Sequence, residues 1–190
     1  MNAINIIKEE TLSDNWYLLK KTTFNYLTKK GVWETRNRET YDRGNGATIL
    51  LYNSLMKTVI LTRQFRFPTF VNGNITGMLI ESCAGLLDHD SPEEAIKRET
   101  EEETGYVISS VKKVYEAYMS PGSVTELLYF FIAEYTTDMK TGNGGGIEEE
   151  EIEVMELPFD EAIHMITTGE IRDGKTIMLL QHLALSQLIN

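Results

Sequence analysis

The sequence has almost no cysteine, and this scarcity excludes one way of stabilising the fold. Cys83 is the one cysteine among 190 residues, so a disulfide within the chain is impossible. We therefore expect a reducing compartment, the cytoplasm, and read Cys83 as a buried strand residue. The three histidines, His89, His164 and His182, have no paired metal-ligand spacing with each other or with Cys83, which argues against zinc.

Long hydrophobic runs and an excess of positive charge are also missing. No apolar run approaches the roughly 20 residues that span a bilayer, and residues 1–10 lack the features of a secretory signal. The 18 Lys and Arg are outnumbered by 29 Asp and Glu, for a formal net charge of -11. We expect neither a membrane nor a nucleic-acid partner, and a small anionic substrate would need metal cations to neutralise the acidic surface locally.

What the sequence does contain is strand signals first and helix signals later. Its length fits one domain, or a core domain with a smaller appended piece. Strands are predicted at 16–27, 32–41, 47–53, 58–67, 79–85, 111–119, 126–135 and after the acids at 148–151. Helices are predicted after Ser91 and at 159–167 and 176–189. This order predicts an α+β fold in which helices cover both sides of a mixed β-sheet.

The central helix has clear start and stop signals. Ser91 is the predicted N-cap, Pro92 takes the first helical position, Glu94 follows three residues after the cap, and Gly105 ends the helix. The glycine-rich residues 142–146 are no phosphate-binding P-loop, because Lys followed by Ser or Thr is absent and they open no helix.

The last turns of this helix crowd acids together. Glu99, Glu102 and Glu103 share a face, where like charges repel and also oppose the helix dipole. A solvated acidic surface explains Glu93 and Glu94 near the N-terminus, but not these later acids. A divalent cation such as Mg²⁺ offsets the repulsion, because it takes carboxylate oxygens and keeps positions open for phosphate.

A second acid cluster, residues 148–151, follows the glycine-rich loop at 141–146. One interpretation is a mobile loop that delivers a further metal ligand or a general base. The other is a solvated run of charge on a disordered loop. The composition of the segment leaves both open.

Residues 85–106, GLLDHDSPEEAIKRETEEETGY, resemble the Nudix box, the signature of hydrolases that cut nucleoside diphosphates linked to another moiety. The chain departs from the family pattern in three ways. The loop after Gly85 is one residue short, Asp90 replaces the usual Glu, and Thr100 and Tyr106 replace aliphatic residues. Glu99, Glu102 and Glu103 are intact, and we assign Asp90 a structural role.

Further segments extend the resemblance over nearly the whole chain. YDRGNGATILLYN, ESCAGLLD, YMSPGSVTELLYFFIAEY and EIRDGKTIMLL are similar to the GDP-mannose hydrolase branch of the ADP-ribose pyrophosphatase group. This resemblance implies a Nudix fold with an N-terminal antiparallel strand region. It also implies a division into residues 1–43, which dimerise through swapped strands, and a hydrolase domain at 44–190.

The resemblance also implies roles for individual residues. Metal ligands are expected at the Ala84 carbonyl and at Glu99, Glu103 and Glu150. Catalytic roles are expected for Arg98, Glu102, Glu148 and Glu150, with Glu148 matching a position proposed as general base. Substrate contacts are expected from Trp16, Asn37, Arg38, Glu39, Arg66, Ala84, Gly85, Leu86, Glu103, Glu126, Glu149, Glu150 and Lys175.

Some of these substrate contacts also have a physical reading. Arg66 and Lys175 are candidates to hold phosphates, against the alternative of plain surface solvation. Trp16 stacks on a base or is a core or dimer-contact residue. Arg38 with Glu39 reads the base or a phosphate from the neighbouring subunit of a homodimer, which rests on the resemblance alone.

The expected activity is hydrolysis of GDP-mannose to GMP and mannose 1-phosphate with Mg²⁺ or Mn²⁺. ADP-ribose is the alternative substrate, and a Nudix domain that binds a nucleotide sugar without turnover is a further alternative. A calcium-binding module is excluded, because an EF-hand starting at Asp88 would put Glu93 where its sharp turn needs glycine. Ser91 and Pro92 also begin a helix inside that loop.

Overall fold

A computed structural model describes residues 3–146 and 151–189 of the chain. The chain divides into two compact units, one of residues 1–45 and 118–127, the other of residues 46–117 and 128–190. The division at residues 43 and 44 that the sequence suggested stays a prediction.

The first unit contains a three-stranded antiparallel sheet in the order β1-β2-β3. Its strands are β1 (Ile4–Asp14), β2 (Leu18–Leu27) and β3 (Trp33–Asp42). The hairpin between β2 and β3 closes with a hydrogen bond from Thr28 N to Val32 O of 2.9 Å. The expected N-terminal antiparallel strand region is thereby confirmed, and β1 is a strand that the sequence did not predict.

The second unit contains a seven-stranded mixed sheet. The main path is β10-β5-β4-β9-β8, with β6 paired to β5 and β7 paired to β4. Within it β4 and β9 are parallel, whereas β4 is antiparallel to β5 and to β7. The strands are β4 (Gly46–Asn53), β5 (Thr58–Phe65), β6 (Met78–Glu81), β7 (Cys83–Leu86), β8 (Lys112–Tyr118), β9 (Leu127–Glu134) and β10 (Glu153–Pro158).

The single strand predicted at 79–85 is wrong in one respect, because the chain changes partners at Ser82. Residues up to Glu81 pair with β5, and residues from Cys83 pair with β4. This change of partner places Glu81 and Ala84 on two different short strands that are separated by one residue.

The helices are α1 (Phe67–Val71), α2 (Pro92–Thr104), α3 (Phe159–Thr168) and α4 (Gly174–Ser186), with a short 3-10 helix at Thr137–Met139. The sequence predicted α2, α3 and α4, but placed the α1 segment partly in a strand. Among the described residues, no helix has both the length and the apolar character that crossing a membrane requires.

Alternation along β4 shows that helices lie on both faces of the mixed sheet. Ala47, Ile49 and Leu51 belong to one buried cluster with Ile96 of α2. Thr48 points to the other face, where its hydroxyl lies 2.8 Å from Ser82 Oγ. Ser82 Oγ in turn lies 3.3 Å from Thr176 Oγ1 of α4. The predicted α+β arrangement, a mixed sheet between helices, is confirmed.

Candidate active site

Helix α2 begins and ends where the sequence predicted. Ser91 Oγ accepts from Glu94 N at 3.3 Å, and the Glu94 carboxylate accepts from Ser91 N at 3.2 Å, which completes a capping box. Gly105 ends the helix in the left-handed conformation, with φ of 76°. The polar Thr100 is fully buried, and its hydroxyl donates to Ile96 O. These contacts fix the ends of α2, and the burial of Ile96, Thr100 and Glu103 shows which face of the helix packs on the sheet.

Glu103 faces the sheet and is only 5% exposed. Its carboxylate accepts a hydrogen bond of 3.3 Å from Ala84 N of β7, and the Cys83 thiol also donates to it. Burial, reinforced by the charge of Glu99, raises the pKa of Glu103 to about 7, while the Cys83 and Ala84 hydrogen bonds and the charge of Arg66 pull it down. Burial likewise raises the pKa of the Cys83 thiol, consistent with the predicted buried strand residue.

Glu99 lies directly against Gly85 of β7. A Cβ atom added to Gly85 would overlap the Glu99 carboxylate group, so glycine is the residue that allows this approach. The Ala84 and Gly85 backbone and the Glu99 and Glu103 carboxylates therefore come together where β7 passes the last turns of α2. The chain folds this way because β7 pairs with β4, and α2 packs on both.

Arg98 neutralises part of the repulsion among these acids. Its guanidinium lies 2.8 Å from Glu99, 3.4 Å from Glu102, 3.4 Å from Asp90 and 3.8 Å from Asp88. Burial disfavours the charged guanidinium, but the Glu99 and Glu102 carboxylates outweigh burial and raise the pKa of Arg98. The Asp90 carboxylate pairs with Arg98 at 3.4 Å, and its structural role stays a prediction.

The glycine-rich loop is attached to the C-terminal end of α2. Gly145 N donates to Glu103 O at 2.9 Å and Gly146 N donates to Glu102 O at 3.1 Å, which satisfies two carbonyls of the last helical turn. A Cβ atom at Gly144, where φ is 66°, would overlap the Glu103 carbonyl oxygen. The loop is thus hydrogen-bonded to the helix that carries the acids, and both interpretations of the acids that follow it stay open.

The chain returns to the same place after the second acid cluster. Ile152 N donates to Gly145 O at 3.3 Å. The predicted site residues Glu148, Glu149 and Glu150 lie outside the described residues, so their roles stay predictions.

A buried charge cluster lies at the start of α4. The Glu81 carboxylate, 4% exposed, accepts from Arg66 Nε and from Lys175 Nζ, each at 2.8 Å. Lys175 also lies 3.0 Å from Asp173. Burial opposes the charged ammonium, yet the Glu81 and Asp173 carboxylates outweigh it and raise the pKa of Lys175. Surface solvation is therefore the wrong reading of Lys175, whose side chain is 13% exposed, while Arg66 is 40% exposed.

The sequence argument missed Glu81. A signal was present, because a carboxylate in the apolar run LIESCAG needs a cationic or hydrogen-bonding partner if the strand is buried. The partners themselves are 15 and 94 residues away in the chain, so local pattern could not identify them.

The other predicted contacts belong to the first unit and are described within it. Trp16 is 82% exposed and meets Tyr17 edge to face, which excludes the core reading. Asn37, Arg38 and Glu39 are consecutive on β3, where Asn37 Oδ1 accepts from Thr23 at 2.6 Å. Glu126 pairs with Arg43 at 3.4 Å.

The donor set near β7 suits a hard divalent cation. Two carboxylates, Glu99 and Glu103, approach a strand whose Ala84 carbonyl is a further oxygen donor, and oxygen is what Mg²⁺ prefers. Within the described residues no group of three or more His, Cys, Asp or Glu is arranged to hold a metal ion. Residues 147–150 lie outside the described part of the chain, so the metal ligand expected at Glu150 stays a prediction.

Sequence comparisons divide the chain in two. Residues 3–41 match the family model described as GDP-mannose pyrophosphatase NudK N-terminal domain, and residues 42–180 match the model described as NUDIX domain. Two proteins named GDP-mannose pyrophosphatase, from Shigella dysenteriae serotype 1 (strain Sd197) and Escherichia coli (strain K12), are each 57% identical over 187 residues. The alignment covers 98% of this chain and 98% of each relative.

A solved structure supports the fold independently. The crystal structure of an ADP compounds hydrolase superimposes with a TM-score of 0.73, covering 100% of this chain and 98% of that one. Sequence identity is 17%, so this likeness speaks to the fold.

Proposed function

The chain belongs to the Nudix family, and on this premise we propose that it is a Mg²⁺-dependent hydrolase that cleaves GDP-mannose to GMP and mannose 1-phosphate. The observation that carries the proposal is the close approach of the α2 acids Glu99 and Glu103 to the Ala84–Gly85 backbone, in a chain so similar to GDP-mannose pyrophosphatases. Nudix pyrophosphohydrolases act on acid anhydrides of phosphorus, which fits the choice of a diphosphate.

Metal ions would be held by the Ala84 carbonyl and by the carboxylates of Glu99, Glu103 and Glu150. When bound, Mg²⁺ or Mn²⁺ supplies positive charge to the diphosphate oxygens and lowers the pKa of a coordinated water. Arg98 keeps Glu99 and Glu102 in place through its two ion pairs, so its catalytic role is to position carboxylates. The Glu103 carboxylate would have to lose the proton that burial favours.

Hydrolysis forms one bond between water oxygen and phosphorus and breaks one phosphoanhydride bond. Glu148 is the proposed general base that accepts the proton of the attacking water, and the departing phosphate oxygen ends on mannose 1-phosphate or GMP. The described residues that flank this segment support the proposal, because Ile152 N donates to Gly145 O and Gly145 N donates to Glu103 O at the end of α2. Glu149 and Glu150 complete the proposed contacts of this segment with substrate.

The remaining substrate contacts are proposed for both units of the chain. Arg66 and Lys175 bind phosphate oxygens, and Gly85 and Leu86 offer backbone groups of β7. From the first unit, Trp16 stacks on guanine, and Arg38 with Glu39 reads the base or a phosphate from the neighbouring subunit. Asn37 and Glu126 are further proposed substrate contacts. Trp16 is suited to stacking because most of its ring surface is exposed.

The proposed assembly is a homodimer formed through the N-terminal strands. Ile4, Ile6 and Ile7 of β1 are 53%, 59% and 54% exposed, and exposed apolar surface of this kind is typical of an interface. The cytoplasm is the proposed compartment, because Cys83 is a free, buried thiol.

A panel of nucleoside diphosphate sugars at one fixed Mg²⁺ concentration tests the substrate, with kcat/KM as the readout. GDP-mannose is expected to give the highest value, and its products should be GMP and mannose 1-phosphate. A higher kcat/KM for ADP-ribose would make ADP-ribose the substrate instead of GDP-mannose. Binding of GDP-mannose without turnover of any substrate would mean that the protein is a nucleotide-sugar-binding domain and not an enzyme.

A further inference from the structure

A buried carboxylate stands between the two cations that are proposed to bind phosphate. Glu81 Oε2 accepts from Arg66 Nε, and Glu81 Oε1 accepts from Lys175 Nζ, both at 2.8 Å. The two oxygens of one carboxylate therefore bind two different cations. Without this bridge, the mostly buried Lys175 ammonium would keep Asp173 as its carboxylate partner, and the Arg66 guanidinium would lose its bond at Nε.

The hydrogen bond to Glu81 uses the Nε–H of Arg66, the guanidinium donor nearest the main chain. A guanidinium carries five N–H donors, so the Nε bond leaves the terminal amino groups for a bidentate contact with a phosphate. The Arg66 side chain is 40% exposed, compared with 13% for Lys175, which is also in contact with Asp173. Of the two cations, Arg66 is thus the one with more surface to offer a ligand.

Glu81 is itself held in place by the start of α4. Ser82 N, one residue along, donates to Thr176 Oγ1 at 2.6 Å, and Thr176 Oγ1 donates to Asp173 Oδ2 at 2.6 Å. Thr48 Oγ1 lies 2.8 Å from Ser82 Oγ on the other side. Ser82, Thr176 and Thr48 are at most 1% exposed, so this network is a rigid support for the Glu81 backbone.

From these contacts we infer that Glu81 is a positioning residue, which orients the Arg66 guanidinium for the diphosphate of the substrate through its Nε bond and its bridge to Lys175. The inference rests on the proposed function. A buried ion pair that merely stabilises the fold would have the same contacts, so the test must separate orientation of Arg66 from stability.

A double-mutant cycle on Glu81→Gln and Arg66→Ala makes that separation, because coupled residues have non-additive effects. Glutamine keeps the shape of the side chain but presents an amide donor to one of the two cations. In the chain that retains Arg66, Glu81→Gln should raise KM roughly tenfold with a smaller effect on kcat. In the Arg66→Ala background the same change should alter KM by less than about twofold.

Three further measurements keep the result interpretable. Glu156→Gln is a matched control, since Glu156 also accepts hydrogen bonds, from Tyr135 and Thr58, on the same sheet. Its effect on KM should be small. If Glu81→Gln fails to fold, by thermal melting, Glu81→Asp replaces it in the cycle, because it keeps the charge but shortens the reach. Titration with inorganic pyrophosphate measures the same coupling as a change in Kd without turnover.

The positioning role of Glu81 and the proposed hydrolysis of GDP-mannose can fail independently of each other. Coupling between Glu81 and Arg66 in pyrophosphate affinity supports the positioning role even if GDP-mannose proves not to be the substrate. Effects of Glu81→Gln and Arg66→Ala that simply add, in both KM and pyrophosphate affinity, would overturn the positioning role while leaving the proposed reaction standing.

Discussion

The carboxylate of Glu99 lies where the side chain of any residue other than glycine would begin at position 85. This contact joins β7 to the last turns of α2 and puts the Ala84–Gly85 backbone next to two acids of the helix. The Nudix box spacing therefore has a steric meaning in this chain, in addition to its chemical one. The box begins with glycine because the Glu99 carboxylate occupies the space that a side chain at position 85 would take.

Gly85→Ala tests that steric relationship. The added methyl group must displace the Glu99 carboxylate, so kcat/KM should fall by roughly ten- to a hundredfold. Steady-state assays with GDP-mannose at saturating Mg²⁺ measure the change. Gly122→Ala is the matched control, because a Cβ atom there meets nothing within 4 Å. An unchanged kcat/KM for a folded Gly85→Ala protein would show that the contact is not required.

Gly144→Ala tests the attachment of the glycine-rich loop to α2. Position 144 has a φ of 66°, and the new Cβ would overlap the Glu103 carbonyl oxygen. We expect a loss of about 2–3 kcal/mol in the free energy of unfolding, made up of backbone strain and the clash, together with reduced kcat. Urea denaturation followed by circular dichroism measures the stability.

Gly31→Ala separates the cost of backbone strain from the cost of the steric clash. Gly31 has a similar φ of 75°, but its Cβ would have open space. This variant should lose only about 1 kcal/mol from the backbone conformation. Equal losses at positions 31 and 144 would mean that the contact between loop and helix adds no stability.

Burial of Glu103 predicts a pH dependence of the metal-free protein. The folded state raises the pKa of this carboxyl from 4.5 to about 7. A raised pKa contributes stability that is fully present below pH 4.5 and is lost as pH rises to about 7. The loss is on the order of 3 kcal/mol, because each pKa unit corresponds to about 1.4 kcal/mol.

Urea unfolding in the presence of EDTA, at a series of pH values, measures this loss. Glu103→Gln should remove the part of the pH dependence of the unfolding free energy that comes from Glu103. The metal-free variant should then be more stable than the unmodified chain at about pH 8. Glu101→Gln is the control, since Glu101 is exposed on the same helix. Parallel curves for the unmodified chain and Glu103→Gln would contradict the assigned pKa.

Local pattern predicted the parts of the fold that local chemistry determines. Ser91, Pro92, Glu94 and Gly105 defined α2 because caps and stops act within a few residues of the helix ends. The same reasoning failed for β1, whose isoleucines at positions 4, 6 and 7 are exposed and show no alternation to mark a buried face.

Long-range contacts explain what the sequence could not supply. The bridge from Glu81 to Lys175 joins residues 94 positions apart, and no periodicity encodes it. The amides of Gly145 and Gly146 bind the end of α2 because the helix leaves carbonyls unsatisfied there, and the glycine-rich composition of the loop did not predict this contact. The four consecutive acids from Glu148 to Glu151 remained indistinguishable without the family resemblance.

The most direct test of the account is the rate of GDP-mannose hydrolysis by Glu99→Gln and Glu103→Gln at saturating Mg²⁺, with Glu101→Gln as the control. Each of the first two variants should lose roughly a hundredfold to ten-thousandfold in kcat, since amides replace carboxylates that hold the metal, and Glu101→Gln should stay within about twofold. Folded Glu99→Gln and Glu103→Gln proteins that hydrolyse GDP-mannose as fast as the unmodified chain would contradict it.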